Sequence, residues 1–244
     1  MKRTREVRIG ERGNLSVDIQ KRVSSAVVQI TREGKKGRRR VFQRVGQGVC
    51  VPGNFVLTVA HALDWHMLTG GYRRNEMTLG DHYTALVTTR DGERHEAEID
   101  AVEPRSDLAV LGSPVPIQSS QSREDRPIPK EFLQRAPAVP LWEGVWPLGD
   151  QMQVYLLSAE GKWFPATATR RYPPNGLPKG GMMNVELVDD QVTFGDSGGP
   201  VVDGAGQLFG LVSDGTKDVS VAIPHFALPC WVRDRIHAFS KAFS

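Results

Sequence analysis

Short apolar runs of strand length recur along most of the chain, turn signals separate them, and a helical period appears only at the C-terminal end. Together these predict an all-β fold, built as barrels or sandwiches and closed by one α-helix. Ahead of the first strand, residues 1–16 read as a basic arm and Val17 to Val23 as a short helical lead-in. Ala26 to Ile30 and Val41 to Val45 read as strands on either side of a glycine-rich basic hairpin loop. Gly48 to Val51 and Phe55 to Thr58 follow, joined by Pro52-Gly53-Asn54, a strong turn signal. Tyr83 to Thr89 and His95 to Val102 flank Asp91-Gly92, and an Asp-Gly pair between alternating runs is a leading hairpin signature.

Residues 113–140 change character, being rich in Pro, Ser, Gln and charge with little periodicity, and read as a connector between two halves. Strand-like runs then resume at Gln153 to Leu157, Phe164 to Thr169, Asn184 to Val188, Val201-Val202, Leu208 to Ser213 and Val219 to Ile223. Val232, Ile236, Phe239 and Phe243 fall at i, i+4, i+7 and i+11, one face of a helix expected to pack on the second half. Pro229 stands where a first-turn proline is tolerated.

The composition is that of an ordinary globular protein, 39% hydrophobic and 24% charged over 244 residues, with chain enough for a core that needs no staple. The net charge of +3 is concentrated in Met1-Lys2-Arg3-Thr4-Arg5 and in Lys35-Lys36-Gly37-Arg38-Arg39-Arg40. Neither run is interleaved with aromatic residues, so solvated arms are expected and nucleic acid is not an expected partner. Cys50 and Cys230 lie far apart among apolar neighbours and suggest neither a disulfide framework nor a metal cluster; both are expected to be free and buried. No apolar h-region follows the basic N-terminus and no segment reaches a bilayer-spanning length, so a cytoplasmic setting without a membrane partner is expected.

The sharpest chemical signal is Gly195-Asp196-Ser197-Gly198-Gly199-Pro200. Glycines allow close approach of a substrate backbone and let successive N–H groups point at one spot. A serine hydroxyl is a poor nucleophile unless a base takes its proton. Thr58-Val59-Ala60-His61 ends an apolar strand with a candidate base, and Ser106-Asp107-Leu108-Ala109-Val110-Leu111 puts a carboxylate at the edge of an apolar run. The remaining histidines, His66, His82, His95, His225 and His237, share no metal-ligand spacing, and no metal or other cofactor is expected. The tryptophans are expected to serve packing.

In the order His61, Asp107, Ser197 these segments resemble the trypsin-like (chymotrypsin-fold) serine peptidases and differ from the subtilisin and α/β-hydrolase orders. The resemblance is closest to the HtrA-like bacterial branch, through Thr89-Arg90-Asp91-Gly92-Glu93, Glu103-Pro104-Arg105-Ser106-Asp107-Leu108-Ala109 and Val221-Ala222-Ile223-Pro224. It implies two six-stranded antiparallel β-barrels with a C-terminal α-helix. Residues 17–115 would form the first barrel with His61 and Asp107, 116–140 the connector, 141–226 the second barrel with Ser197, and 227–244 the helix. The PDZ domain of HtrA proteins is not expected in this chain.

The same resemblance implies a serine endopeptidase acting on protein or peptide substrates. Ser197 would attack, His61 would relay the proton, Asp107 would hold the imidazole, and the N–H groups of Gly195 and Ser197 would form the oxyanion hole. Ser213 and Gly215, flanking Asp214, would pair with the substrate backbone. Gln191 and Val192 would line the specificity pocket for a small or medium residue, while a one-residue shift would bring Asp190 to its floor, and Asp214 would favour a basic one. Asp196 is either a fold-stabilising acceptor or part of a loop that a partner orders. The chain lacks an Ile-Val-Gly-Gly start, so regulation by a protein partner or by the arm is expected in place of N-terminal cleavage. The competing expectation is a catalytically silent binding module on the same fold.

Overall fold

Ser16 accepts a hydrogen bond from the Ile19 N–H at 3.4 Å and so starts the lead-in helix α1, Val17–Ser25. In the computed structural model the described residues are 14–36, 39–63, 84–89, 92–103, 106–112, 115–116, 137–144, 151–169, 182–187, 195–215, 219–222 and 228–242. After α1 come β1 (Val27–Lys36), β2 (Arg39–Val51) and β3 (Phe55–Val59), then the single turn α2 (Ala60–Leu63). β4 (Thr84–Thr88), β5 (Arg94–Glu103), β6 (Leu108–Leu111) and the short β7 (Val115–Pro116) complete the first half. The second half holds β8 (Gln151–Leu157), β9 (Trp163–Thr169), β10 (Met182–Leu187), β11 (Pro200–Val202), β12 (Leu208–Gly215) and β13 (Val219–Ala222), and α3 (Cys230–Ala242) ends the chain.

Each half is an antiparallel barrel. The first sheet runs β4-β1-β2-β3-β6-β5-β7 and β4 also pairs with β5, so a ring closes and β7 adds to it from outside through β5. The second sheet is a closed barrel in the order β10-β13-β12-β11-β8-β9. The all-β double-barrel fold with a C-terminal helix is therefore what the chain adopts. Closure removes the sheet edges that a strand-rich chain would otherwise expose.

Three local expectations are revised. The sequence separates Val41 to Val45 from Gly48 to Val51, whereas β2 runs unbroken through Gly46-Gln47-Gly48. These glycines answer close contacts, not a turn. A Cβ on Gly46 would lie 2.6 Å from the Ser197 carbonyl oxygen, and one on Gly48 would lie 2.7 Å from Val56 Cγ1. The C-terminal helix does not pack on the second half alone. Val232 and Ile236 join the core cluster that holds Phe55, Val51 and the rest of the first barrel. Trp231 meets Phe55 edge-on at 6.0 Å, and the Arg235 guanidinium lies 4.7 Å from the same ring. Phe243 lies outside the described residues.

The third revision concerns the thiols. Both are free, but only Cys50 is buried, while Cys230 is exposed at the start of α3 with the Arg233 Nη2 at 3.2 Å from its sulfur. Burial pushes the Cys50 thiol far above the ordinary range, so its reactive thiolate is suppressed. Iodoacetamide should therefore alkylate Cys230 in the native protein and reach Cys50 only after unfolding. Intact-mass and peptide mapping would read this directly, and rapid native alkylation of Cys50 would contradict the burial.

Candidate active site

β3 is apolar and buried over its whole length, and at its end the chain turns into α2. The first N–H groups of a helix have no partner within it. Here Asp107 takes two of them. Its carbonyl oxygen accepts from the Ala60 N–H at 3.1 Å, and its Oδ1 accepts from the His61 N–H at 2.9 Å. The remaining Oδ2 lies 2.7 Å from His61 Nδ1. A carboxylate only accepts, so Nδ1 carries the proton and Nε2 is left as the basic nitrogen. Asp107 reaches this position with φ of 52°, a left-handed conformation that aspartate tolerates better than most side chains. Its carboxylate is buried, and the Ser213 hydroxyl donates a second bond to Oδ2.

Ser197 is fixed from the opposite side. Its carbonyl oxygen accepts from the Gln47 N–H at 2.8 Å, a bond that crosses from the first barrel to the second. Gln47 is itself buried. Its carbonyl accepts the Thr58 hydroxyl at 2.7 Å, and its side-chain amide lies 3.4 Å from the Asp196 carbonyl oxygen. Gly198 donates to the Val212 carbonyl at 2.8 Å, and the Val212 N–H donates to Gly199 at 2.9 Å, tying the serine segment to β12 one residue before Ser213. The result is a closed circuit of residues: Asp107 to Ser213, along β12 to Val212, across to Gly198 and Ser197, and through Gln47 and Thr58 back to β3 and His61.

The geometry of the loop also depends on Gly195 and Gly198, at φ of 100° and 80°. A Cβ on Gly198 would sit 2.0 Å from the Gln47 carbonyl oxygen and 2.8 Å from Thr58 Oγ1, so no larger residue fits. No other group among the described residues engages the N–H of Gly195 or of Ser197. A basic imidazole nitrogen, a hydroxyl between glycines and two N–H donors without a partner among the described residues are the ingredients of acyl transfer.

Of the other residues that the sequence singles out, Gln191, Val192, Asp189 and Asp190 lie outside the described residues. Asp214 and Gly215 close β12. Ser213 falls at a bulge, because the register steps from Val212 paired with Val221 to Asp214 paired with Ser220. His66, His82 and His225 also lie outside the described residues. His95 is buried with its Nε2 3.3 Å from Glu93, and His237 Nδ1 lies 3.0 Å from Glu143. Among the described residues no three metal-ligating side chains converge. Sequence reasoning missed Gln47 and Ala159. A polar residue between glycines inside an apolar strand was the available signal for Gln47. Ala159, whose N–H lies 2.6 Å from Asp196 Oδ1, has none, since its backbone does the work.

Residues 46–211 match the family profile of the trypsin-like peptidase domain. Among curated proteins, serine protease HTRA2, mitochondrial, of Bos taurus is 27% identical over 217 residues, covering 86% of this chain and 41% of that protein. The chain thus spans about two fifths of this relative's length. Among solved structures, the HtrA-type protease AlgW with decapeptide matches with a TM-score of 0.54 and 18% identity, over 90% of this chain and 66% of that one.

Two glycines with nearly the same φ separate conformational strain from collision. Gly161, at 81°, has nothing among the described residues within 4 Å of an added Cβ. Gly161→Ala should cost only the left-handed penalty of about 1–2 kcal/mol. Gly198→Ala meets that penalty and the 2.0 Å contact with the Gln47 carbonyl, so it should lower the melting temperature much further or prevent folding. Equal melting temperatures for the two variants would show that the barrels separate freely at this point.

Proposed function

Because the chain belongs to the trypsin-like peptidase domain family, we propose that it is a serine endopeptidase whose triad is Ser197, His61 and Asp107. The observation that carries this reading is the His61–Asp107 pair, with its 2.7 Å contact leaving Nε2 as the base, on the same bonded circuit as Ser197. In the proposed reaction Ser197 Oγ forms a bond to the substrate carbonyl carbon as its proton passes to His61 Nε2. The N–H groups of Gly195 and Ser197 receive the oxyanion. The C–N bond then breaks, the amine leaves with the proton from His61, and an acyl-enzyme remains, which water cleaves by the same steps. Asp107 keeps the imidazole in one tautomer and stabilises its cation.

The substrate class in this reading is protein or peptide, with Ser213 and Gly215 of β12 pairing with its backbone. The bulge at Ser213 favours this, since that residue is skipped in the register with β13. An exposed free cysteine suits a reducing compartment, and we place the enzyme there. Control by a partner protein or by the basic arm is part of the proposal, because an endopeptidase inside a cell has to be restrained.

A fluorophosphonate probe tests the assignment. It should label wild-type protein on Ser197 and leave Ser197→Ala unlabelled. Ser197→Ala and His61→Ala should each lower kcat by about 10⁶-fold, the scale for groups that act as a unit. Asp107→Asn should keep the fold and cost about 10⁴-fold. A folded wild-type chain that neither labels nor cleaves any peptide would favour the silent binding module instead.

A further inference from the structure

The basic run at 35–40 has no part in the chemistry above, yet the fold gives it a definite place. β1 pairs with β4 at Gln29, Ile30 and Thr31, and β2 pairs with β3 at Val49, Cys50 and Val51. Among the described residues, 32–36 and 39–43 pair with each other alone, as a two-stranded ribbon that leaves the first barrel. It is about 16 Å long at the usual rise of a strand. Residues 32–44 hold seven cations and one acid, a net charge of +6, so the rest of the chain is net negative at −3.

The register concentrates that charge. Lys35 stands opposite Arg40, and Lys36 opposite Arg39. Like charges directly opposite each other destabilise a strand pair. The one acid, Glu33, stands opposite Phe42, on the face of Lys35 and Arg40, because positions two apart share a face. The other face takes Arg32, Lys36 and Arg39 with no acid among them. A ribbon of this register repels itself and is relieved by an anion.

β2 also fixes where the ribbon leads. It runs without a break from Arg39 to Gln47, whose N–H bonds the Ser197 carbonyl. The serine segment is held by Val212 of β12 on one side and by Gln47 of β2 on the other. A substrate whose acyl part lies along Ser213 and Gly215 therefore crosses Ser197 toward β2 as it passes the cut bond. Arg44 is exposed three residues before Gln47, about 10 Å along the strand, and Arg40 stands seven before it, about 23 Å. An extended chain covers that span with about three to seven residues.

We propose that the β1–β2 ribbon is a docking surface for protein substrates that carry acidic residues about three to seven positions beyond the cut bond, on the leaving side. This rests on the serine endopeptidase reading above. The ribbon touches no reacting atom. It adds binding that is the same before and during the reaction, so its effect falls on KM. An acidic peptide fits it better than nucleic acid does. The positive charge ends with the ribbon on a chain otherwise net negative, which offers a phosphate backbone no continuing track.

Peptides that share one core, taken from a cut the enzyme makes in unfolded casein, test this when they carry a run of Glu, of Gln or of Lys at the third to seventh positions after the cut. At low salt the Glu peptide should exceed the Gln peptide about ten-fold in kcat/KM, through KM, and the ratio should fall toward one as salt is raised. In Lys36→Gln/Arg39→Gln the ratio should drop several-fold. In Lys36→Glu/Arg39→Glu the Lys peptide should become the better substrate. Because the Gln pair removes a like-charge opposition, that variant should melt no lower than wild type at low salt. Should either double variant fail to fold, the single Arg39→Gln and the salt dependence of the wild-type ratio carry the test. Fluorescence anisotropy on Ser197→Ala reads the surface without cleavage: a Glu run on a Gly-Ser linker should bind about ten-fold tighter than a Gln run. Equal kcat/KM for the Glu and Gln peptides, a preference carried by kcat alone or left intact in the Lys36 and Arg39 variants, or displacement of the Glu run by a lower concentration of a single-stranded oligonucleotide of equal charge would overturn the proposal. Tight binding of the Glu run by a wild-type chain that neither labels nor cuts would uphold the surface and place the failure in the endopeptidase reading.

Discussion

The 2.8 Å bond from the Gln47 N–H to the Ser197 carbonyl is the contact on which the site depends, because there the backbone of one barrel touches the backbone of the other. Side chains would collide beside it: a Cβ on Gly46 would lie 2.6 Å from the Ser197 carbonyl oxygen, and one on Gly198 would lie 2.0 Å from the Gln47 carbonyl oxygen. Burial then obliges each peptide group to find a partner. The Gln47 carbonyl has the Thr58 hydroxyl, and Gly198 and Gly199 have Val212. The contact is thus a set of mutually dependent bonds, and a shift of either barrel would break several at once.

Two carboxylates are buried beside that seam, and N–H and O–H dipoles contribute to holding both. Isolated burial of such a charge costs several kcal/mol, so each must be well supplied with donors. Asp107 draws on the His61 N–H, the imidazole and the Ser213 hydroxyl, the last from the other barrel. Asp196 draws on the Ala159 N–H. Because these donors are parts of the fold, the imidazole tautomer and the serine segment are set before any substrate arrives. Preorganisation of this kind is what electrostatic stabilisation of an oxyanion requires.

How far the sequence revealed this varied with the kind of information involved. Short apolar runs and turn residues were enough for most of the strands, though not for β6 or for β7, which begins inside the stretch read as connector, and the glycine-serine segment stood out because its residue types are chemically unusual. His61 and Asp107 were legible only as members of an ordered trio. The continuity of β2 was not, because glycines at 46 and 48 look like punctuation unless one knows that Ser197 and Val56 press against them. The seat of α3 was not either: a helical stripe of Val232 and Ile236 shows that a face is buried but not which surface receives it. Gln47 and Ala159 act largely through backbone groups, which every residue possesses, so their roles leave almost no trace in side-chain identity.

The second barrel shows why nearly continuous apolar runs were needed around a polar site. Along its strands successive residues alternate between two cores. Leu156, Val201, Phe209 and Val212 belong to the interior cluster of that barrel, while their neighbours Tyr155, Val202, Leu208 and Leu211 belong to the cluster shared with the first barrel and α3. Strand geometry sends consecutive side chains to opposite faces, so both faces here must be apolar. At Ser213 the alternation would again send a side chain to the seam, and there the apolar layer gives way to a hydroxyl that meets Asp107. The bulge at the same residue interrupts its pairing with β13. One position therefore carries a side chain committed to the first barrel and a backbone released from the second, and the polar site sits where the shared apolar layer ends.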